Sequence, residues 1–264
     1  MIIATASDYS YIHKLISLIG SIHHHCGPIP IDCYDLGLGP DCRSAVSGIE
    51  GLTIRDVDLV NPQCLTRLRL HDLGNEDTVP GLYTWKIALI KQVLEHGDVM
   101  YLDAGTTVVR PLGPVFDTIR KEGCFLVKNG TIGHMATKAV RAVVCDDRAI
   151  LDAPGVDAGV MGLRRDLYDM MALPLYELAR DIELFRDDGS AEGGPTCGLA
   201  EQSLFSIMAA KNGLPLNCTD TVVHSRLAIN DRTAIYHSRG DANYPLQKDW
   251  VIWRDRTVEC LLPH

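Results

Sequence analysis

The first half of the chain alternates short apolar runs with stretches in which apolar residues recur at helical spacing. Residues 2–6 form an apolar run that predicts a buried strand. Over 9–25, Ile12, Leu15, Ile16, Ile19 and Ile22 follow a helical period, and Pro28 stops the predicted helix. Residues 29–36 read as a second strand, ended by Gly37 and Gly39. A short helix near 42–47 and a strand over 52–57 complete a third unit. Residues 61–80 are polar and punctuated by Gly and Pro, and predict a loop with some irregular helix. Trp85, Ala88, Leu89, Val93 and Leu94 predict a helix over 83–96 with Gly97 as its C-cap signal. Residues 99–102 form a compact apolar strand, and 107–110 an extended segment ended by Pro111.

The second half is less regular. Strands are predicted over 124–127, 160–163 and 234–238. A helix is predicted over 166–184, kinked or split by Pro174, and another over 199–212, ending at Gly213. Between them, 186–198 holds Gly189, Gly193, Gly194 and Pro195 and reads as a mobile loop. The strand and helix alternation predicts an α/β fold, a mostly parallel central sheet flanked by helices on both faces. No internal repeat and no dividing linker is visible, so 1–264 reads as one domain.

Composition narrows the function classes. Of 264 residues 46% are apolar, enough for a sizeable core, and the formal net charge is -9. Gripping a nucleic-acid backbone calls for Lys and Arg, so acidity argues against a nucleic-acid partner. Nine cysteines are scattered without a CxxC pair, which predicts reduced thiols and a cytoplasmic setting rather than a zinc ribbon. The amino-terminal residues read as a first strand rather than a secretion signal, and no apolar run is long enough for a transmembrane segment.

Ligands of open α/β sheets bind beyond the carboxyl ends of strands. Two polar sites fall there: Ala6-Ser7-Asp8-Tyr9-Ser10-Tyr11 after the first strand, and Asp103-Ala104-Gly105 after 99–102. A carboxylate at such a place can hold a metal or a ribose hydroxyl, and a neighbouring aromatic can stack on a base. Taken alone, Asp8 reads as a helix cap. GxGxxG, Walker A and GxSxG motifs are absent.

The order of these segments resembles glycosyltransferase family 8, the group containing glycogenin and bacterial lipopolysaccharide galactosyltransferases, over residues 2–240. The resemblance implies a GT-A (Rossmann-like) fold and transfer of a hexose from a UDP-linked sugar donor to a glycan, lipid-linked or protein acceptor, with retention. Ala6 to Tyr11 resembles the motif whose Asp and Tyr hold the base, roles that fall on Asp8 and Tyr11, with Ala6 alongside. Tyr83-Thr84-Trp85-Lys86 resembles the helix start that supplies a basic residue to the donor, here Lys86. Val99 to Gly105 resembles the strand bearing DxD, which places Asp103, Ala104 and Gly105 at the donor. Asp157-Ala158-Gly159 is similar to the Asn-Ala-Gly segment lining the donor sugar. Glu201-Gln202-Ser203 resembles an Asp-Gln-Asp, and places Gln202 near the anomeric carbon. His237-Ser238-Arg239-Gly240 resembles the start of a His-x-x-Gly motif, in which His237 and Gly240 meet the donor.

The chain departs from that pattern. Gly105 stands at the second Asp of DxD, Ser203 replaces a carboxylate, and Asn243 stands where a Lys is expected, with Lys248 further on. The family's Mn²⁺ or Mg²⁺ is therefore either reduced to Asp103 and His237 as protein ligands or lost. Lys86, Arg239 and Lys248 are the cations that could stabilise a leaving diphosphate instead. Glu201 could serve as general base in an inverting reaction; its other reading is a first-turn carboxylate favoured by the helix dipole. A weakened or inactive domain that binds nucleotide sugar or glycan is the alternative function, and a nucleotidyltransferase ranks lower because 7–10 lacks a Gly-rich basic loop. His23, His24 and His25 read as a solvated helix end. His71, His96, His134 and His224 show no ligand spacing. Asp146-Asp147 and Asp187-Asp188 read as surface turns, and Met170-Met171 as packing.

Overall fold

The computed structural model describes residues 1–71, 78–217, 220–224, 228–238 and 248–254. The chain opens with β1 (Ile2–Ser7), α1 (Ile12–Cys26), β2 (Ile31–Asp35), α2 (Pro40–Val46) and β3 (Leu52–Asp56). The three strands pair in parallel. Gly27, at φ +76°, ends α1 ahead of Pro28. A hairpin of β4 (Arg67–Arg69) and β5 (Thr78–Pro80) precedes α3 (Thr84–His96), β6 (Val99–Leu102) and β7 (Thr106–Val108). Then come α4 (Gly113–Glu122), β8 (Cys124–Thr131), α5 (Ile132–Met135), α6 (Lys138–Val144), α7 (Arg148–Leu151) and β9 (Pro154–Leu163). Last are α8 (Leu173–Leu178), α9 (Ala200–Lys211), β10 (Val222–His224) and β11 (Ile235–His237).

The six-stranded sheet runs β3-β2-β1-β6-β9-β8. β6 lies parallel to β1 on the side away from β2, whereas β9 is antiparallel to both β6 and β8. The chain winds outward from β1 to β3, then crosses back through α3 to β6. This reversal opens a crevice at the carboxyl ends of β1 and β6, where α/β sheets bind ligands. Side chains of β6 alternate between the two cores. Val99 and Tyr101 join α3 and α9 on one face, while Met100 and Leu102 join α1 and α4 on the other. Beyond this sheet, β7 pairs antiparallel with β11, which pairs in parallel with β10.

The mostly parallel α/β architecture agrees with the sequence pattern, but several local expectations fail. Part of 61–80 is an antiparallel hairpin, with Leu68 opposite Val79 and both packed on the core; three-residue strands are too short to show period-two alternation. The strand expected at 160–163 begins at Pro154. Its glycines hide it from a hydropathy pattern, yet Gly162 has Ile119 Cδ1 only 2.3 Å from where a Cβ would lie, so close packing requires its bare backbone. The helix expected over 166–184 breaks into short 3₁₀, π and α segments, and Pro174 occupies the first turn of α8. The helix over 113–122 was not foreseen.

His23 is buried rather than solvated. Its Nε2–H donates to Glu50 O at 3.1 Å and its Nδ1 accepts from Ile252 N at 2.9 Å, and burial lowers its pKa. Asp187 is also no surface residue. It is 1% exposed and accepts from His71 Nδ1 at 2.7 Å, from Gly189 N at 3.0 Å and from Gly198 N at 3.1 Å. The glycine-rich segment 186–198 is therefore pinned at both ends by one buried carboxylate. Met171 is buried and Met170 exposed.

Candidate active site

At the end of β1, Asp8 Oδ1 accepts from Tyr11 N at 3.1 Å and from Ser10 Oγ at 2.6 Å. This is the N-cap geometry expected of an Asp before a helix. The second oxygen, Oδ2, meets Arg67 Nη1 at 2.6 Å. Arg67 comes from β4, inside the segment read as loop, and sequence reasoning missed it. Tyr11 stays 48% exposed, with Lys14 Nζ 5.4 Å from its ring centre.

At the end of β6, Asp103 Oδ1 accepts from the buried Tyr101 hydroxyl at 2.5 Å and faces Lys86 Nζ at 3.2 Å. Lys86 projects from the first turns of α3 and is 3% exposed. Its ammonium also donates to Ala158 O at 3.3 Å and lies 3.6 Å from Glu201 Oε1. Burial alone would lower the pKa of this lysine, but Asp103 and Glu201 outweigh that and hold it charged. Glu201, in the first turn of α9, is pushed up by burial more than Lys86 pulls it down, and its Oε2 has no hydrogen-bond partner among the described residues. The two directions agree if Asp103, the nearer carboxylate, is the main counter-charge of Lys86.

The turn into α3 is strained. Gly81, Leu82 and Tyr83 have φ of +49°, +47° and +69° in succession. A Cβ on Gly81 would lie 2.0 Å from Cys64 O. Left-handed backbone costs a non-glycine residue roughly 1–2 kcal/mol. This turn sets Tyr83 between two cavities.

One cavity, about 300 Å³, lies beyond β1 and is lined by Ala6, Asp8, Tyr11, Ala104 and Gly105 among others, with Lys14 and Arg67 as its cations. The other, about 480 Å³, is lined by Lys86, Asp157, Gly159, Glu201 and Gln202 among others. Tyr83, Asp103 and His237 line both. The structure thus gathers nearly every candidate from the sequence. Ala158 enters through its carbonyl, and Gln202 donates to Met135 Sδ. Ser203 is fully buried against Ala200 O. Arg239, Gly240 and Asn243 lie outside the described residues, as does the side chain of Lys248.

Gly159 lets β9 approach the site, because a Cβ there would stand 2.4 Å from His237 Cε1 and 2.8 Å from Asp103 Oδ2. Asp157 Oδ1 accepts from Gly159 N at 2.9 Å. Its Oδ2 lies 3.3 Å from His237 Nδ1 and 3.3 Å from His224 Nε2. Burial pushes the Asp157 carboxyl up, but His237, His224 and the Gly159 amide together bring it well below the usual carboxylate range. His224 was read as having no ligand spacing. It reaches the site because β10 pairs with β11, a long-range register that local spacing does not encode.

At the DxD position only Asp103 Oδ2, 3.9 Å from His237 Nε2, is open to a divalent ion. Gly105 has no side chain, and Asp103 Oδ1 is already engaged by Tyr101 and Lys86.

No known family profile matches the chain, and a search of curated proteins returns no match. Solved structures do match. The galactosyltransferase LgtC in complex with donor and acceptor sugar analogs is 16% identical with TM-score 0.54, covering 92% of this chain and 88% of that one. Mouse xyloside xylosyltransferase 1 is 11% identical with TM-score 0.54, over 92% of this chain and 99% of that one. The apo-form glycosyltransferase GlyE of Streptococcus pneumoniae is 14% identical with TM-score 0.54, over 94% and 58%. With the sheet order and the crevice at β1 and β6, these likenesses give the chain the GT-A fold of glycosyltransferases.

Proposed function

We propose that the protein is a glycosyltransferase that moves a hexose from a UDP-linked sugar to a hydroxyl of a glycan, lipid-linked or protein acceptor. The observation that carries this reading is the junction of two cavities at Tyr83, Asp103 and His237, with the buried, charged Lys86 reaching Asp103 there. The outer cavity offers Tyr11 as a stacking surface, Asp8 as an acceptor, and Lys14 and Arg67 for a diphosphate. The inner one offers the polar surface a sugar needs.

In the reaction the bond from sugar C1 to the diphosphate oxygen breaks and UDP leaves with the electron pair. The acceptor oxygen bonds to C1 and loses its proton. Charge therefore grows on the diphosphate, and preorganised cations stabilise it best. Lys86, beside Asp103 at the junction, adds its charge to those of Lys14 and Arg67, and its burial strengthens the effect. The reaction then needs no Mn²⁺ or Mg²⁺ at Asp103 and Gly105. Gln202 lines the inner cavity, where it would stand beside a bound sugar, an arrangement that suits retention. Glu201 has one oxygen occupied by Lys86 and serves to hold that lysine.

The test is UDP release from a panel of UDP-sugars, with and without added Mn²⁺ or Mg²⁺, and the product anomer by NMR. Turnover that is unchanged by either ion, with a retained anomer, is expected. UDP binding without turnover of any donor would leave a binding module in place of the enzyme. An inverted product would move the catalytic role to Glu201 as general base.

A further inference from the structure

Asp157 on β9, His224 on β10 and His237 on β11 bring one ligand atom each within 4.8 Å of one another. Asp157 Oδ2 stands 3.3 Å from His224 Nε2 and 3.3 Å from His237 Nδ1. A zinc ion bound to imidazole nitrogen and carboxylate oxygen at ~2.0–2.1 Å separates its tetrahedral ligands by roughly 3.4 Å. The two separations in the protein already equal two edges of such a polyhedron.

Independent parts of the fold hold these donors in place. β10 and β11 pair in parallel with His224 directly opposite His237, which sets the rings 5.5 Å apart. The Gly159 amide holds Asp157 Oδ1 and leaves Oδ2 turned to both imidazoles. His237 Nε2 faces Asp103 Oδ2 at 3.9 Å. That is longer than a hydrogen bond, yet the negative carboxylate on this side favours a proton on Nε2, the tautomer that presents Nδ1 to a metal. Asp157 and His237 are 1% and 7% exposed, so neither is a chance surface group.

We infer that Asp157, His224 and His237 bind a divalent transition-metal ion, with zinc the best fit, through Nδ1 of His237. Two imidazoles and one carboxylate favour Zn²⁺ over Mg²⁺, which prefers oxygen ligands. Three protein ligands leave a further position for water or for an oxygen of a molecule in the inner cavity, which Asp157 and His237 line. The site differs from a DxD site in its ligands, and it places Asp103 behind the ion's histidine rather than on the ion. The inference does not rest on the transferase reading, since metal binding is read without turnover.

The experiment is titration of metal-stripped full-length protein with Zn²⁺ by calorimetry, and with Co²⁺ by visible absorption. A single ion per chain is expected, with the intense Co²⁺ bands of four-coordination. His224→Gln weakens Zn²⁺ binding by about 100-fold or more, whereas Asp103→Asn, acting only through His237, weakens it by about 10-fold. Asp157→Asn is nearly isosteric and retains an oxygen for the Gly159 amide, so it tests the same ligand set should His224→Gln not fold. The circular dichroism spectrum of each variant reports folding. Zn²⁺ affinity equal to wild type in folded His224→Gln or Asp157→Asn overturns the inference. So does a wild-type protein that binds neither ion, which would leave the three side chains as a hydrogen-bonded triad.

Discussion

Replacing Gly159 with alanine drives a methyl group into the gap between β9 and the His237 ring. The new Cβ would stand 2.4 Å from His237 Cε1, 3.1 Å from His237 Nε2 and 2.8 Å from Asp103 Oδ2. Carbon pairs settle at ~3.5–4.0 Å, so the ring must retreat by roughly 1 Å. β9 is held at this point from the β6 side, where Asp103 N donates to Gly159 O at 2.8 Å, and its pairing with β8 resumes on either side of a bulge. Overpacking of this kind costs about 1–3 kcal/mol. A displacement of about 1 Å at a reacting centre costs about 100-fold in rate. Gly159→Ala should therefore lower kcat by about that factor in UDP-sugar turnover, and lower the urea midpoint as well. UDP affinity should persist, since Asp8 and Tyr11 lie on the far side of Asp103. Gly105→Ala is the matched control, because its Cβ would meet nothing closer than Ser238 Oγ at 3.8 Å. A Gly159→Ala enzyme with wild-type kcat would refute the claim that contact between β9 and the Asp103–His237 pair sets the geometry.

Three further outcomes follow from the buried charges. Lys86→Met leaves Asp103 and Glu201 without their shared cation; loss of one partner of a buried pair costs about 3–5 kcal/mol, so urea unfolding should show a loss of that order together with collapse of turnover. A Lys86→Met enzyme that keeps its rate would remove the lysine from the mechanism. Glu201 has a folded pKa above its unfolded one, so its contribution to stability is full below the unfolded value and is lost as pH rises through the folded one. The unfolding free energy of wild type minus that of Glu201→Gln should accordingly fall as pH rises through and above the usual glutamate range, and a difference that rises would contradict the burial argument. Asp187→Ala removes the acceptor for His71, Gly189 and Gly198; limited proteolysis should then cut within 188–198, and an unchanged cleavage pattern would show that the carboxylate does not fasten this segment.

The strand ends were legible because buried strands announce themselves as apolar runs, and the first polar residue after each is then fixed in place. Asp8 and Asp103 were found in this way, whereas Lys86 was marked only by the resemblance of Tyr83-Thr84-Trp85-Lys86 to a known helix start. What escaped depends on contacts between distant segments. Arg67 reaches Asp8 from a hairpin whose strands are too short to carry a pattern. His224 owes its place to the pairing of β10 with β11, and nothing within its own neighbourhood marks it. Asp187 sits in a polar, glycine-rich stretch that looks like any surface turn, and only the fold shows that His71 lies across from it. Gly159 interrupts the hydropathy of β9 for the same reason that it matters, since a side chain there has no room.

The left-handed passage from Gly81 to Tyr83 also limits how this protein can change over generations. At position 81 any side chain would collide with the Cys64 carbonyl, which lies 2.0 Å from a Cβ. Leu82 and Tyr83 already occupy a costly backbone conformation, so a β-branched replacement at either would cost more. Inserting or deleting one residue here would rotate α3 by about 100° and carry Lys86 off its face of the helix. Sequence drift that retools substrate preference is thereby steered away from this turn and toward positions with space around them, of which Gly105 is one.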